Sequence, residues 1–231
     1  MTRPLSQALE EALQDIRRRP VSLGQRLEMI AEFVRAKGPQ FMDKVDRFVG
    51  RLQAARAGEG APDVGETMPG FLLPDQDGRL VASAELHAGG PAVLVFHRGH
   101  WCTYCRVNMT GIAEIQDRLA RARLVAISAE TRTFTRALRA EVGARFPFLS
   151  DVGGGYAMSL GLAIWVDEEM ARMIASAGWD IPAYQGGGGW VLPIPSVFVV
   201  REDGTVAARH VDPDYRRRME LDALLDAVAA A

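Results

Sequence analysis

Cysteine is nearly absent from this chain of 231 residues: there are two, Cys102 and Cys105. A disulfide framework is therefore excluded. An excess of charge of one sign is lacking as well. The 27 Lys and Arg against 29 Asp and Glu leave a net charge of −2, which supplies no bulk electrostatic footprint for nucleic acid. Long hydrophobic runs are missing too. The longest, near Pro91–Phe96 and Ile194–Val200, are strand-sized and too short to span a bilayer, so no membrane partner is expected. Near the N-terminus, Glu10 and Glu11 arrive before any apolar run, so a secretory signal is not expected and the chain reads as cytoplasmic. In a reducing compartment a close cysteine pair is catalytic or metal-binding more often than structural. What the chain does have is ordinary: 48% hydrophobic and 24% charged residues, enough to bury a core and too balanced for global disorder.

Two grammars follow one another. Residues 1–60 carry helical periodicity throughout and read as an N-terminal helical extension. The stripes are Leu5, Leu9, Leu13 and Ile16; then Leu23, Leu27, Ile30 and Val34; then Phe41, Val45, Phe48, Val49 and Leu52, each at the spacing of one helix face. Arg17-Arg18-Arg19-Pro20 and Gly38-Pro39 separate them. The extension holds 11 Lys or Arg and 8 Asp or Glu, a net +3. Its arginine run is read as a helix C-terminus favoured by the macrodipole rather than as a nucleic-acid patch. The stripes serve either a second subunit, giving a homodimer, or the chain's own core.

After a small-residue linker at 57–62 the pattern changes, and residues 61–231 read as one α/β domain. Phe71–Leu73 and Leu80–Ala82 flank an Asp-Gly turn and predict a hairpin. Strands are predicted at Pro91–Phe96 and Arg123–Ser128, and helices over Cys105–Leu119, Thr131–Val142 and Val166–Ala177. Phe146–Leu149 reads as an apolar connection. Two more strands, Ser196–Arg201 and Thr205–His210, are joined by Glu202-Asp-Gly204, a strong hairpin signal, and Leu221–Ala231 closes the chain as a helix. This order implies a central mixed sheet flanked by helices.

The two cysteines stand at the corner where a buried strand gives way to a helix, within Phe96-His-Arg-Gly-His-Trp-Cys102-Thr-Tyr-Cys105. Free backbone N–H groups and the positive end of the helix dipole stabilise a thiolate there, and the thiolate is the reactive form. Arg98 and Arg106 flank the pair. A two-residue gap lets the second sulfur reach the first, so a disulfide can form and open reversibly. The rival readings are an inert buried pair and a metal site using His97, His100, Cys102 and Cys105. One Cys-x-x-Cys without a distant second pair is a weak zinc signal, so no metal and no cofactor are expected. Trp101 either shields the sulfurs or simply packs. Trp165, Trp179, Tyr184 and Trp190, around Gly186–Gly189, either line a substrate mouth or pack.

From about Gly65 to the C-terminus the chain resembles the peroxiredoxin-like branch of the alkyl hydroperoxide reductase/thiol-specific antioxidant family. The segments that carry the resemblance are Gly65-Glu-Thr-Met-Pro-Gly-Phe-Leu-Leu-Pro-Asp, Phe96 to Cys105, Ala126-Ile-Ser, Leu192-Pro-Ile-Pro-Ser-Val-Phe-Val-Val and Val211-Asp-Pro-Asp-Tyr-Arg-Arg-Arg. The helical extension is similar to this branch too. The resemblance implies a thioredoxin-like fold and thiol-dependent reduction of hydrogen peroxide or alkyl hydroperoxides, with electrons from thioredoxin or a small thiol. In thioredoxin-like folds a cis proline before a strand faces the cysteine pair, and Pro195 fits that place in order and context; its alternative is an ordinary proline at a strand start.

The resemblance leaves the nucleophile open. Laid on the Pro-x-x-x-Thr/Ser-x-x-Cys pattern of peroxiredoxins, the peroxidatic cysteine falls on Cys105, the hydroxyl position on Cys102 and the proline position on Arg98. The family's arginine on the later strand falls near Pro195, so this chain lacks it there. Laid on the Trp-Cys-x-x-Cys of thioredoxins, Cys102 attacks and Cys105 resolves. The leading expectation is a peroxidase cycling Cys102 and Cys105 between dithiol and disulfide. The alternatives are a thiol–disulfide oxidoreductase acting on protein disulfides, and a binding module whose helical extension reads the redox state.

Overall fold

The computed structural model describes residues 4–119, 121–187 and 189–231. The first three residues of the chain and Gly188 of the glycine run lie outside the described residues. The fold is a five-stranded sheet with helices on both faces and a helical extension packed at the end where the cysteines sit.

The extension forms α1 (Leu5–Ile16), α2 (Leu23–Lys37) and α3 (Pro39–Ala54). Each of the three stripes became the buried face of one helix: Leu13 and Ile30 are fully buried, and Leu9, Val34, Val45 and Phe48 nearly so. The helix starts follow local chemistry. Ser22 and Gln25 form a capping box on α2, and Pro39 opens α3 at the position where a missing N–H costs nothing. Arg17 caps α1 and its guanidinium bonds Glu141, so the arginine run does end a helix. The stripes pack within the chain, in a core shared with Trp101, Cys102, Tyr104, Cys105 and Val107.

Strands β1 (Leu72–Pro74) and β2 (Leu80–Ala82) form the expected hairpin, followed by the short α4 (Ser83–His87). Then come β3 (Ala92–Phe96), α5 (Thr103–Ile115), β4 (Arg123–Ser128), α6 (Arg132–Val142), β5 (Phe148–Ser150), α7 (Gly155–Ser159), β6 (Ala163–Trp165), α8 (Glu168–Ser176), α9 (Ile181–Tyr184), β7 (Val191–Pro193), β8 (Ser196–Val200), β9 (Val206–Val211) and α10 (Leu221–Ala229). The main sheet has the order β5-β4-β3-β8-β9, with β3 parallel to β4 and antiparallel to β8. Alternation divides its core. Val93, Val95, Ala126, Val197 and Val199 face α5, α6 and α10, while Leu94, Phe96, Val125, Ile127 and Phe198 pack on the opposite face with Tyr156 and Leu160.

Three expectations need correction. Phe146–Leu149 is more than a connection, because Phe148–Ser150 pairs in parallel with β4 as the edge strand; a three-residue strand buried on both faces has no alternation to betray it. The helix predicted over Cys105–Leu119 starts two residues earlier, with Cys102 as its N-cap. The third is Pro195. No peptide bond among the described residues is cis, so the Ile194–Pro195 bond is trans, the isomer favoured by default. The chain runs through it from β7 into β8, with the Ile194 N–H donating to the Leu162 carbonyl at 2.7 Å, and Pro195 is buried at the start of β8.

Candidate active site

β3 is the central strand, and it delivers the chain to the site. After Phe96 the backbone makes one more sheet bond, from the His97 N–H to the Ile127 carbonyl. It then turns through residues 98–101 into α5. Gly99 permits that turn. Its φ is +135°, and a Cβ there would stand 2.5 Å from the Glu130 carboxyl group. Glu130, fully buried at the end of β4, clasps the turn: its two oxygens meet the His100 N–H at 2.8 Å and His100 Nδ1 at 2.6 Å. Burial pushes the Glu130 carboxyl up and the contacts with His100 oppose it. The His100 ring stacks on Phe134 at 4.5 Å. His97 turns the other way, edge-on to Phe148, and burial lowers its value to about 3. The two histidines thus serve separate environments.

At the start of α5 the two sulfurs are 2.7 Å apart. Cys105 is fully buried and Cys102 is 3% exposed. Their surroundings differ. Cys105 Sγ accepts the Arg98 backbone N–H at 3.4 Å and a guanidinium N–H of Arg218 at 3.5 Å. Cys102 Sγ accepts the Cys105 N–H at 3.4 Å, as a helix cap does, and shares the S–H···S contact with Cys105 Sγ, but no arginine donates to it. Burial opposes ionisation of Cys105, yet the Cys102 thiol, the Arg218 and Arg98 charges and the Arg98 N–H together bring it down to about 6. Burial and the role of donor to Cys105 push Cys102 well up. One ionised sulfur held by one protonated sulfur is the resulting state.

Four of the five expected site residues assemble here. Cys102 and Cys105 bring their sulfurs into contact. The Arg98 guanidinium lies 4.7 Å from the Trp101 ring and 4.0 Å from that of Tyr215, between two aromatic faces that attract a cation. Trp101 donates its indole N–H to the Arg98 carbonyl at 3.1 Å. Pro195 lies next to Ser196, the residue paired with Phe96 at the end of β3. It contributes no polar group to the sulfurs.

The residue that sequence reasoning missed is Arg218. The resemblance leaves the site without the family's arginine near Pro195. Arg218 supplies the charge from the segment before α10, 113 residues along the chain. Its signal was present in the sequence as Tyr215-Arg-Arg-Arg218, a basic cluster without an assigned role. Asp214 organises that cluster by binding Arg216, which also reaches Asp46 of α3.

An apolar cavity of about 50 Å³ lies against Cys102. Trp101 and Tyr215 line it together with Ile30, Val34 and Phe48 of the extension. Trp179 shares it, 6.0 Å from Trp101. Trp165, by contrast, is 67% exposed, so the expected aromatic cluster does not gather at one mouth.

The fold that carries this site is shared with known proteins. Residues 64–209 match the model of the AhpC/TSA family. The chain belongs to that family. The match begins after the helical extension and includes both cysteines. Among solved structures, the chain is similar to the peroxidoxin BcpB of Mycobacterium tuberculosis, at 21% identity over 73% of this chain and 97% of the other, with a TM-score of 0.58. It is also similar to reduced Prx3 of Vibrio vulnificus in complex with hydrogen peroxide, at 18% identity over 72% and 98% with a TM-score of 0.56. A third is the bacterioferritin comigratory protein of Xanthomonas campestris, at 15% identity over 69% and 90% with a TM-score of 0.52. A search of curated proteins finds no match. These likenesses establish the thioredoxin fold of the peroxiredoxins, and the family is one of peroxiredoxin-type peroxidases. Among the described residues no helix is long and apolar enough to cross a membrane.

Proposed function

We propose that the protein is a thiol-dependent peroxidase in which Cys105 attacks the peroxide and Cys102 resolves. The observation that carries this reading is the asymmetry of the pair: of the two sulfurs, Cys105 receives the hydrogen bond from Arg218, and Cys105 is lowered, to about 6, while Cys102 is raised. The Cys105 thiolate attacks the terminal peroxide oxygen. A sulfur–oxygen bond forms, the O–O bond breaks, and the departing alkoxide or hydroxide takes a proton to leave as alcohol or water. Cys105 is now a sulfenic acid. Cys102, once deprotonated, attacks that sulfur, the disulfide forms and water leaves. The sulfurs start in contact, so no second chain is required. Thioredoxin or a small thiol restores the dithiol. The Arg218 guanidinium, directed at the sulfur, also polarises the O–O bond, the task of the arginine that the family keeps on a later strand. Family membership and fold support a peroxidase of this type; the cysteine roles rest on the site's electrostatics.

A thiol–disulfide oxidoreductase with Cys102 as nucleophile requires the opposite asymmetry, with Cys102 lowered and open to a protein disulfide. The test is hydrogen peroxide consumption coupled to a thioredoxin system or a small thiol, beside insulin reduction. Expected is peroxide consumption that Cys105→Ser abolishes, with a trappable sulfenic acid in Cys102→Ser. No consumption by the wild type, or full activity in Cys105→Ser, overturns the assignment. So does insulin reduction lost only in Cys102→Ser.

A further inference from the structure

The geometry points to Trp179 as the residue that sets which peroxides reach the sulfurs: it is the movable side of an aperture that passes small neutral hydroperoxides and stops bulky ones. This deepens the peroxidase reading and rests on it for the nature of what passes; the aperture itself is argued from packing. Both sulfurs are shut off from solvent, Cys105 entirely and Cys102 all but 3%, so a substrate has to be let in. Two spaces lie on the way. The inner one is the apolar cavity of about 50 Å³ that meets Cys102, with Cys105 Sγ 2.7 Å beyond the Cys102 sulfur. The outer one is a surface cleft of about 220 Å³ between the first turns of α1 and of α5, with the exposed Gln7 and Glu10 on its rim. Trp101, Thr103 and Trp179 line both spaces. These three side chains are the wall between cleft and cavity.

The three are not held alike. Trp101 donates its indole N–H to the Arg98 carbonyl at 3.1 Å and carries the Arg98 guanidinium against its ring. Thr103 is the first residue of α5 and is fixed by the helix backbone. The Trp179 ring makes no hydrogen bond to the described residues. It is half-buried, and its ring neighbours are Phe41 at 6.1 Å and Trp101 at 6.0 Å. It hangs from the short link between α8 and α9. The backbone of that link is pinned: the Ala177 carbonyl accepts the Ser6 N–H of α1 at 3.1 Å, and the Trp179 N–H donates to the Ile174 carbonyl at 3.3 Å. A Cβ on the neighbouring Gly178 would run into Ser6. The freedom that is left belongs to the Trp179 side chain, which moves between rotamers without breaking a polar contact.

What passes follows from the chemistry of the two spaces. The charges of the cleft are paired: Arg106 binds Glu10 at 2.5 and 2.9 Å, and His100 binds Glu130 at 2.6 Å. The cleft therefore offers an ion no free partner, and the apolar walls behind it penalise one. A hydroperoxide is neutral at ordinary pH and crosses without that cost. Size is set by the inner space. Its volume is room for about four waters, which matches the count of non-hydrogen atoms in ethyl hydroperoxide and falls far short of cumene hydroperoxide. The helical extension supplies walls on both sides of the aperture, Gln7 and Glu10 in the cleft and Ile30, Val34 and Phe48 in the cavity. The selection is thus made partly by residues outside the span of the family match.

The test uses the full chain in two assays. Peroxide consumption is compared for ethyl and cumene hydroperoxide under one reductant. Independently of turnover, the thiols of the reduced protein are alkylated with iodoacetamide and with its N-benzyl derivative, each rate normalised to that with free cysteine. Expected is a preference for the smaller member of each pair of about tenfold or more. In Trp179→Ala both preferences fall several-fold because the rate of the bulky member rises, and Trp179→Phe lies between. Trp165→Ala removes an exposed tryptophan that lines neither space and keeps the wild-type preferences. A wild type without size preference, a bulky-member rate that does not rise in folded Trp179→Ala, or the same loss of preference in Trp165→Ala overturns the inference; should Trp179→Ala fail to fold, Trp179→Phe decides by the same criterion. Size-selective alkylation that Trp179→Ala relaxes, in a protein that consumes no peroxide, leaves the aperture standing and sinks the peroxidase reading instead.

Discussion

Replacing Arg218 tests the electrostatics of the site most directly. Cys105 stands at about 6 against an ordinary 9.0, a difference of ~4 kcal/mol between its two protonation states. Burial works against that difference. The Cys102 thiol, Arg218, and Arg98 through its charge and its N–H produce it. Arg218 is the larger of the two arginine charges acting on Cys105, so Arg218→Met is expected to move the titration midpoint up by about one pH unit, ~1.4 kcal/mol. The assay is the ultraviolet absorbance of the thiolate against pH, which needs no reagent to reach a buried sulfur; Cys102, pushed well up, stays out of the window. At pH 7 the thiolate population falls only about twofold, whereas below pH 6 the deficit approaches about tenfold, and peroxide reactivity follows the same curve. Arg218→Lys keeps a charge but not the planar fork and falls between. The sign for stability is set as well. The folded-state value lies below the unfolded one, so the Cys105 thiolate contributes stability that is complete above about 9 and is lost as the pH falls through about 6. An unmoved midpoint in Arg218→Met, with the protein folded, refutes the claim that this arginine makes the thiolate.

Other expectations follow from the same geometry. Gly99→Ala places a methyl group on the Glu130 carboxyl at a φ of +135°, and thermal unfolding is expected to show a loss of about 2 kcal/mol or more; a change under ~0.5 kcal/mol contradicts the tight approach of Glu130 to this turn. Ile30→Ala removes a fully buried side chain from the cavity wall. Denaturant titration is expected to show a cost of about 2–5 kcal/mol, within the usual range for such truncations, and alkylation of Cys102 is expected to quicken as the cavity enlarges. Equal alkylation rates in both proteins mean that the extension does not shield the pair.

Legibility in the sequence tracked how local each determinant is. The three stripes of the extension turned into three helices because period-3.6 burial is written within about 15 residues. The strand-to-helix corner at Cys102 was legible for the same reason, since Pro91–Phe96 and the cysteines are neighbours in the chain. β5 was not, because only its pairing with β4 distinguishes Phe148–Ser150 from a buried connection. The isomer of the Ile194–Pro195 bond was not either: proline before a strand is compatible with both states, and the surrounding structure selects one. Which sulfur ionises was the least legible of all. Cys102 and Cys105 share a motif, a helix end and a depth of burial, and what separates them is their own hydrogen bond together with donors from Arg98 and from position 218.

Burial explains why that distant arginine has to exist. A thiolate with no exposed surface loses its hydration, and that loss alone drives the value upward, as it does at Cys102. The dipole of α5 acts on both sulfurs and cannot favour one of them. A chain that lacks the family's arginine near Pro195 must bring a cation from elsewhere, and the cation must be fixed if it is to discriminate between sulfurs in contact. Here the fixing is done from both ends of the sequence: Asp214 and Asp46 hold Arg216, two residues before Arg218, and Asp46 belongs to α3. The helical extension, outside the span of the family match, thereby braces the charge that selects Cys105, and walls the cavity that meets Cys102. The extension is thus part of the site's construction, and residues outside the motif and its helix add to the asymmetry between the two cysteines.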